Sequence, residues 1–117
     1  MKRGEIWWAE LGPYRSQEQT GRRPVVIVQS DILLGILQSV LVVPLTANLD
    51  RARLAGTALI AASEAGLPED SVALAFQMRA VPRTALKSMV RTLSAEELAE
   101  IELAIEEALG RVEPDEP

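Results

Sequence analysis

The stretch Gly21-Arg22-Arg23-Pro24-Val25-Val26-Ile27-Val28-Gln29-Ser30, answered by Val40-Leu41-Val42-Val43-Pro44-Leu45-Thr46-Ala47-Asn48, decides the reading of this chain. Each stretch holds a short β-branched run bounded by Gly, Pro, Asn or Ser. Such runs predict strands buried on both faces or nearly so. Polar groups stand only at the edges: Arg22 and Arg23 before the first run, Thr46 and Asn48 after the second. If the two strands pair antiparallel, the start of one lies beside the end of the other. Arg23 then comes near Thr46. A guanidinium beside a hydroxyl and backbone donors is suited to a phosphate group.

Working outward, residues 5–11 predict a first strand with Ile6 and Trp8 on one face and Trp7, Ala9 and Leu11 on the other. Residues 12–21 are polar and framed by glycines, and predict a long hairpin loop of the kind that often carries function. Residues 31–38 predict a helical turn. After the third strand comes a loop with Asp50, Arg51 and Arg53, then a fourth strand at 57–61. Turn chemistry fills 64–70. A fifth strand is expected at 72–78 leading to Arg79, a helical turn at 82–86, and a last strand at 88–93. Ser94 with Glu97 three residues on is a capping box. Leu98, Ile101, Ile105, Ala108 and Val112 then recur at helical spacing, with Gly110 as a stop. Short strands closed by one helix point to a small, strongly bent β-sheet or barrel. Residues 1–112 read as one domain and 113–117 as a frayed acidic tail.

Composition narrows the chemistry. The 117 residues contain no cysteine and no histidine. Thiol nucleophiles, zinc–thiolate sites, imidazole-ligated metals and Ser-His-Asp triads are therefore excluded. No cofactor and no metal are expected. The net charge is −5, yet it is unevenly spread. From Ser94 onward, Glu96, Glu97, Glu100, Glu102, Glu106, Glu107, Glu113, Asp115 and Glu116 face Arg111 alone. The preceding residues are thus mildly basic, and the overall acidity is a poor guide to what a site binds. Met1 to Glu5 does not open a signal peptide and no apolar run is long enough to span a bilayer. The expected location is cytoplasmic.

Arg3-Gly4-Glu5-Ile6-Trp7, Glu18-Gln19-Thr20-Gly21-Arg22-Arg23-Pro24-Val25, Val43-Pro44-Leu45-Thr46-Ala47-Asn48, Ser71-Val72-Ala73-Leu74 with Gln77-Met78-Arg79, and the capped closing helix occur in an order that resembles the MazF/PemK family of toxin endoribonucleases. The resemblance covers nearly the whole chain. It implies a mainly β fold, an SH3-like small β-barrel with short helices and a C-terminal α-helix. It implies a homodimer that cleaves single-stranded RNA at short sequences without a metal, inhibited by a partner antitoxin of the MazE type. By position in the motif, Arg23 and Thr46 would be catalytic. Glu18 and Gln19 would fall where relatives contact RNA, Glu18 as the nearest candidate base. Arg22, Asn48, Gln77 and Arg79 would be further RNA contacts. One departure stands out: many relatives carry an aspartate before the glutamine of the fifth strand, and here that residue is Phe76. An acid–base role there does not transfer.

Metal-free cleavage uses the neighbouring 2′-hydroxyl as nucleophile and leaves a 2′,3′-cyclic phosphate or 3′-phosphate and a 5′-hydroxyl. Arg23 suits charge stabilisation at phosphorus, since a guanidinium grips two phosphate oxygens at once. Its pKa above about 12 makes it a poor general acid. Read without the family pattern, Arg22 and Arg23 are a solvated strand end and Thr46 a turn hydroxyl bonding its own backbone. Two other functional classes share this reading of the fold. A CcdB-like gyrase inhibitor would rely on an aromatic C-terminal end, which the Glu-Pro-Asp-Glu-Pro tail lacks. A non-catalytic SH3-like module would need an aromatic groove, for which Trp7, Trp8, Tyr14 and Phe76 supply little.

Overall fold

The computed structural model describes residues 1–11, 21–63 and 66–113. The expected loop, with Tyr14, Glu18 and Gln19, lies outside the described residues apart from Gly21, as does the end of the tail. Seven strands form one antiparallel sheet: β1 (Glu5–Glu10), β2 (Arg22–Ile27), β3 (Ser39–Thr46), β4 (Thr57–Ile60), β5 (Ser71–Leu74), β6 (Arg79–Pro82) and β7 (Leu86–Thr92). Two α-helices complete it, α1 (Asp31–Leu34) and α2 (Ala95–Ala108). The order across the sheet is β4-β5-β3-β2-β1-β7, with β6 also paired to β3. The bend is that of a small barrel, but the hydrogen-bonded ladder does not close: β4 and β7 stand at its two ends. Two register irregularities between β1 and β7 help curl it.

The valine-rich strands are buried on both faces, as their composition predicts. Ile6, Val26, Val43 and Leu45 belong to one apolar cluster, with Trp8 packed against it. Ala9, Leu11, Val25, Ile27, Val40 and Val42 belong to a second, with Trp7 against it. The alternation along β1 is the expected one. Helix α2 covers the first cluster with Ile101 and Ala104, flanked by Leu98 and Ile105. Helix α1 supplies Leu34 to the second.

Residues 72–78 do not form one strand. Leu45 pairs with Ala73, but Val42 pairs with Arg79. Three steps along β3 thus correspond to six along the segment from β5 to β6. The surplus is taken up by a 3₁₀ turn, Ala75–Gln77. Ala75 is buried against the helix side, and Phe76 is turned to solvent. The apolar run Val72-Ala73-Leu74-Ala75-Phe76 gives no hint of this break, because all five residues suit a strand. The loop after β3 also contains a 3₁₀ turn, Leu49–Arg53.

Helix α2 is held at both ends. Ser94 Oγ accepts from the Glu97 amide at 3.1 Å, and Glu97 Oε1 accepts from the Ser94 amide at 2.9 Å. The same carboxylate takes both prongs of Arg91, at 2.9 and 2.7 Å. At the other end Gly110, at φ 75°, allows the Gly110 and Arg111 amides to reach the Glu107 and Glu106 carbonyls. Gly56 permits close approach near the helix's C-terminal end: a Cβ there would lie 3.3 Å from that of Ala108, and its φ is +79°. Its amide donates to Glu107 Oε1 at 3.1 Å.

The Arg91 guanidinium, aided by Ser94, holds the Glu97 carboxyl down at about 2 from an ordinary value of 4.5. A depressed carboxylate stabilises the fold above its unfolded pKa and loses that contribution as pH falls through the folded one. Acid unfolding should therefore draw on this pair between about pH 4.5 and 2. Glu97→Gln keeps the capping geometry but drops the charge, and should cost about 1 kcal/mol at neutral pH, given partial solvent screening. Urea titrations of both proteins at pH 7 and pH 3 should show the gap narrowing at the lower value. An equal gap at both would contradict the assignment.

Candidate active site

The pairing of β2 with β3 sets the geometry. Val25 stands opposite Pro44, Val26 opposite Val43 and Ile27 opposite Val42. Continued two residues, the same register places Arg23 opposite Thr46. Face follows from alternation: Arg23 pairs with Ala9, and Thr46 lies four residues beyond Val42, both on the second cluster's side. The Arg23 Nη2 donates to the Leu45 carbonyl at 3.3 Å, so the guanidinium head sits at the end of β3. The two residues expected to act together are adjacent.

Thr46 Oγ1 accepts from the Asn48 amide at 3.2 Å, and Asn48 Oδ1 accepts from the Asp50 amide at 3.2 Å. The turn role and the site role of Thr46 coexist. Its oxygen holds the turn, which leaves the hydroxyl proton to donate. Asn48 is exposed and caps the 3₁₀ turn that follows.

Arg79 opens β6 opposite Val42, two residues before Val81 of the second cluster. It therefore shares a face with Arg23 and Thr46. The missing register slip hid this, because on one unbroken strand Arg79 would have no defined place beside β3. Gln77 ends the 3₁₀ turn and is half-buried. Arg22 is separated from the pair. It pairs with Glu10, its guanidinium lies 5.6 Å from the centre of the Trp8 ring, and it donates to Ser88 Oγ at 3.0 Å. Neighbours in sequence, Arg22 and Arg23 serve opposite faces. Trp8 also lines a hollow of about 120 Å³ with Pro24, Leu45 and Leu67, behind the site.

The matching family model is that of the PemK-like, MazF-like toxin of type II toxin-antitoxin system, over residues 2–109. The chain belongs to this family. It is 34% identical over 110 residues to the endoribonuclease MazF of Staphylococcus saprophyticus, covering 94% of this chain and 92% of that protein. It is 30% identical over 113 residues to the endoribonuclease EndoA of Bacillus subtilis, covering 97% of each. Its fold matches the crystal structure of MazF from Deinococcus radiodurans with a TM-score of 0.77, at 22% identity over 94% of this chain and 96% of that one. It also matches a mycobacterial endoribonuclease in complex with its cognate antitoxin with a TM-score of 0.76, at 20% identity over 97% and 99%. The antiparallel sheet with a closing helix is thus this family's fold. Among the described residues no helix is long and apolar enough to cross a membrane.

A guanidinium and a hydroxyl at the end of β3 should bind a phosphate-like anion. Titration with inorganic sulfate should shift the amide resonances of Leu45 to Asn48 and little else. Arg23→Lys should weaken that response, because an ammonium lacks the two-pronged geometry. Shifts scattered over the molecule, or unchanged in Arg23→Ala, would count against the site.

Proposed function

We propose that this chain is the toxin of a type II toxin–antitoxin system, a cytoplasmic, metal-independent endoribonuclease that cleaves single-stranded RNA at short sequences. The observation that carries the reading is the placement of Arg23 and Thr46 side by side at the end of β3, in a chain of this family. The relatives named as endoribonucleases, and the antitoxin complex among the structural matches, support the same reading.

In this mechanism the 2′-hydroxyl attacks the adjacent phosphorus, the 2′-O–P bond forms as the P–O5′ bond breaks, and the departing 5′-oxygen takes a proton from water to leave as a hydroxyl. Arg23 binds the non-bridging oxygens and stabilises the charge that grows on them. Thr46 donates a hydrogen bond from its hydroxyl to the same phosphate. Glu18 takes the 2′-proton, and Gln19, Arg22, Asn48, Gln77 and Arg79 contact RNA. The Phe76 position supplies no carboxylate. The active form is a homodimer, inhibited by an extended acidic segment of a MazE-like antitoxin lying over the basic loop.

Loss of Arg23 should slow cleavage by about 10²–10³-fold, by analogy with lost oxyanion donors. Thr46→Ala should cost less, and Thr46→Ser less again. The double mutant should be little worse than Arg23→Ala, since both groups serve one phosphate. Circular dichroism must be unchanged in each, because Thr46 also holds a turn. Strictly additive losses on a cleavage gel would place the two at separate sites.

With no histidine or cysteine in the chain, cleavage should persist in EDTA. Glu18→Gln should lose about 10²–10⁴-fold in rate with little loss of RNA affinity. Activity abolished by chelation and restored by a divalent ion would overturn the metal-free mechanism. Wild-type turnover in Glu18→Gln would remove that residue from it.

A further inference from the structure

The segment that leaves β3 is tied to Thr46 on one side and to the 3₁₀ turn Leu49–Arg53 on the other, and Asn48 makes both ties. Its backbone amide donates to Thr46 Oγ1 at 3.2 Å, and its side-chain Oδ1 accepts from the Asp50 amide at 3.2 Å. Its carbonyl accepts from the Arg51 amide, also at 3.2 Å. At φ −78° and ψ 96° the residue is extended, as a capping residue must be for its side-chain oxygen to reach two residues on.

The far end of the 3₁₀ turn is held separately. Thr57 Oγ1 donates to the Leu54 carbonyl at 2.7 Å, and the Leu54 amide donates to the Arg51 carbonyl at 3.1 Å. Loss of the Asn48 cap would therefore loosen the entry to the turn without freeing the rest of it.

A threonine hydroxyl carries one proton, and its oxygen takes one of three staggered positions. A bond accepted from a fixed amide selects one position for Oγ1 and turns the proton away from that amide. The direction in which Thr46 donates is thus set by where the Asn48 amide points. The cap on the Asp50 amide fixes that in turn.

We propose that Asn48 is a positioning residue for the cleavage reaction, acting through Thr46 by way of its side-chain oxygen. The proposal rests on the RNA-cleaving reading above and deepens it. The two ends of one carboxamide take different tasks. Oδ1 holds the turn, and Nδ2 makes the RNA contact assigned to this residue. The effect on rate is bounded: it does not exceed that of removing the Thr46 hydroxyl, since Asn48 acts only through it.

Substitutions separate the two tasks. Glutamine carries the same amide one methylene further out, where its oxygen no longer closes on the Asp50 amide. Aspartate and serine keep a capping oxygen and lack Nδ2. The full chain is assayed on a single-stranded RNA that the wild type cleaves. Asn48→Gln should lower kcat by about tenfold with KM little changed, since a small displacement of an aligned group is costly in rate. Asn48→Ser and Asn48→Asp should restore kcat to within about twofold of wild type. Their KM should rise, more for Asn48→Asp, whose charge opposes the phosphates. Asn48→Ala, which lacks both atoms, should combine the kcat loss with the KM rise. In a Thr46→Ala background, Asn48→Gln should change kcat no further.

Unchanged circular dichroism at the assay temperature shows each variant to be folded. Asn48→Gln and Asn48→Ala proteins with lowered thermal midpoints but wild-type kcat would overturn the proposal, because the cap would then serve stability alone. Equal kcat losses in the Ser, Asp, Gln and Ala variants, or losses that add fully to that of Thr46→Ala, would overturn it too, with the RNA-cleaving reading left intact. Failure of the wild-type chain to cleave RNA at all would remove that reading, and the positioning role with it.

Discussion

The pairing of β2 with β3 is the constraint on which the site depends. Strand side chains alternate with a period of two, so a slip of one residue would carry Arg23 to the face of Trp8 and leave Thr46 without it. The slip is forbidden by burial. Val25, Val26, Ile27, Val42 and Val43 are fully enclosed, and their two faces feed two separate apolar clusters. Moving the register would misfit both clusters at once. The apolar core thereby holds two polar groups in place that contribute little to it.

Strand β3 is also where the two parts of the sheet meet. One stretch of it pairs with β6 and another with β5, and the 3₁₀ turn Ala75–Gln77 joins those partners. Ala75 anchors the turn by donating its amide to the Gly56 carbonyl at 2.9 Å. Gly56 in turn binds Glu107 of α2. A chain of direct bonds therefore runs from the break beside β3 to the closing helix. The register slip that brings Arg79 onto the face of Arg23 is held by the same packing that holds the helix.

Local chemistry was the legible part of the sequence. The valine-rich runs, the alternation of Ile6 and Trp8 against Trp7 and Ala9, and the Ser94–Glu97 cap each declare themselves within a few residues. The Arg23–Thr46 neighbourhood followed from one assumption, that the two central runs pair antiparallel. What depends on distant partners was hidden. The break after Leu74 is set by β3 and by Gly56, not by the residues that break. The opposite facing of Arg22 and Arg23 could be expected from alternation, yet the hold of Trp8 and Ser88 on Arg22 depends on β7 lying beside β1.

Helix α2 covers the first cluster, on the side of the sheet away from Arg23 and Thr46. It carries Glu96, Glu97, Glu100, Glu102, Glu106 and Glu107 and no basic residue. Charge is therefore unevenly placed: acids gather on the helix, where Arg3 and Arg91 pair with Glu102 and Glu97, while Arg23 and Arg79 lie on the other face. A polyanion approaching at random feels a torque as well as an attraction, and the torque turns the cationic end toward it. Dissolved salt then weakens alignment together with affinity. The excess of acid in the last part of the chain, gathered on a helix away from the site, acts as a rudder.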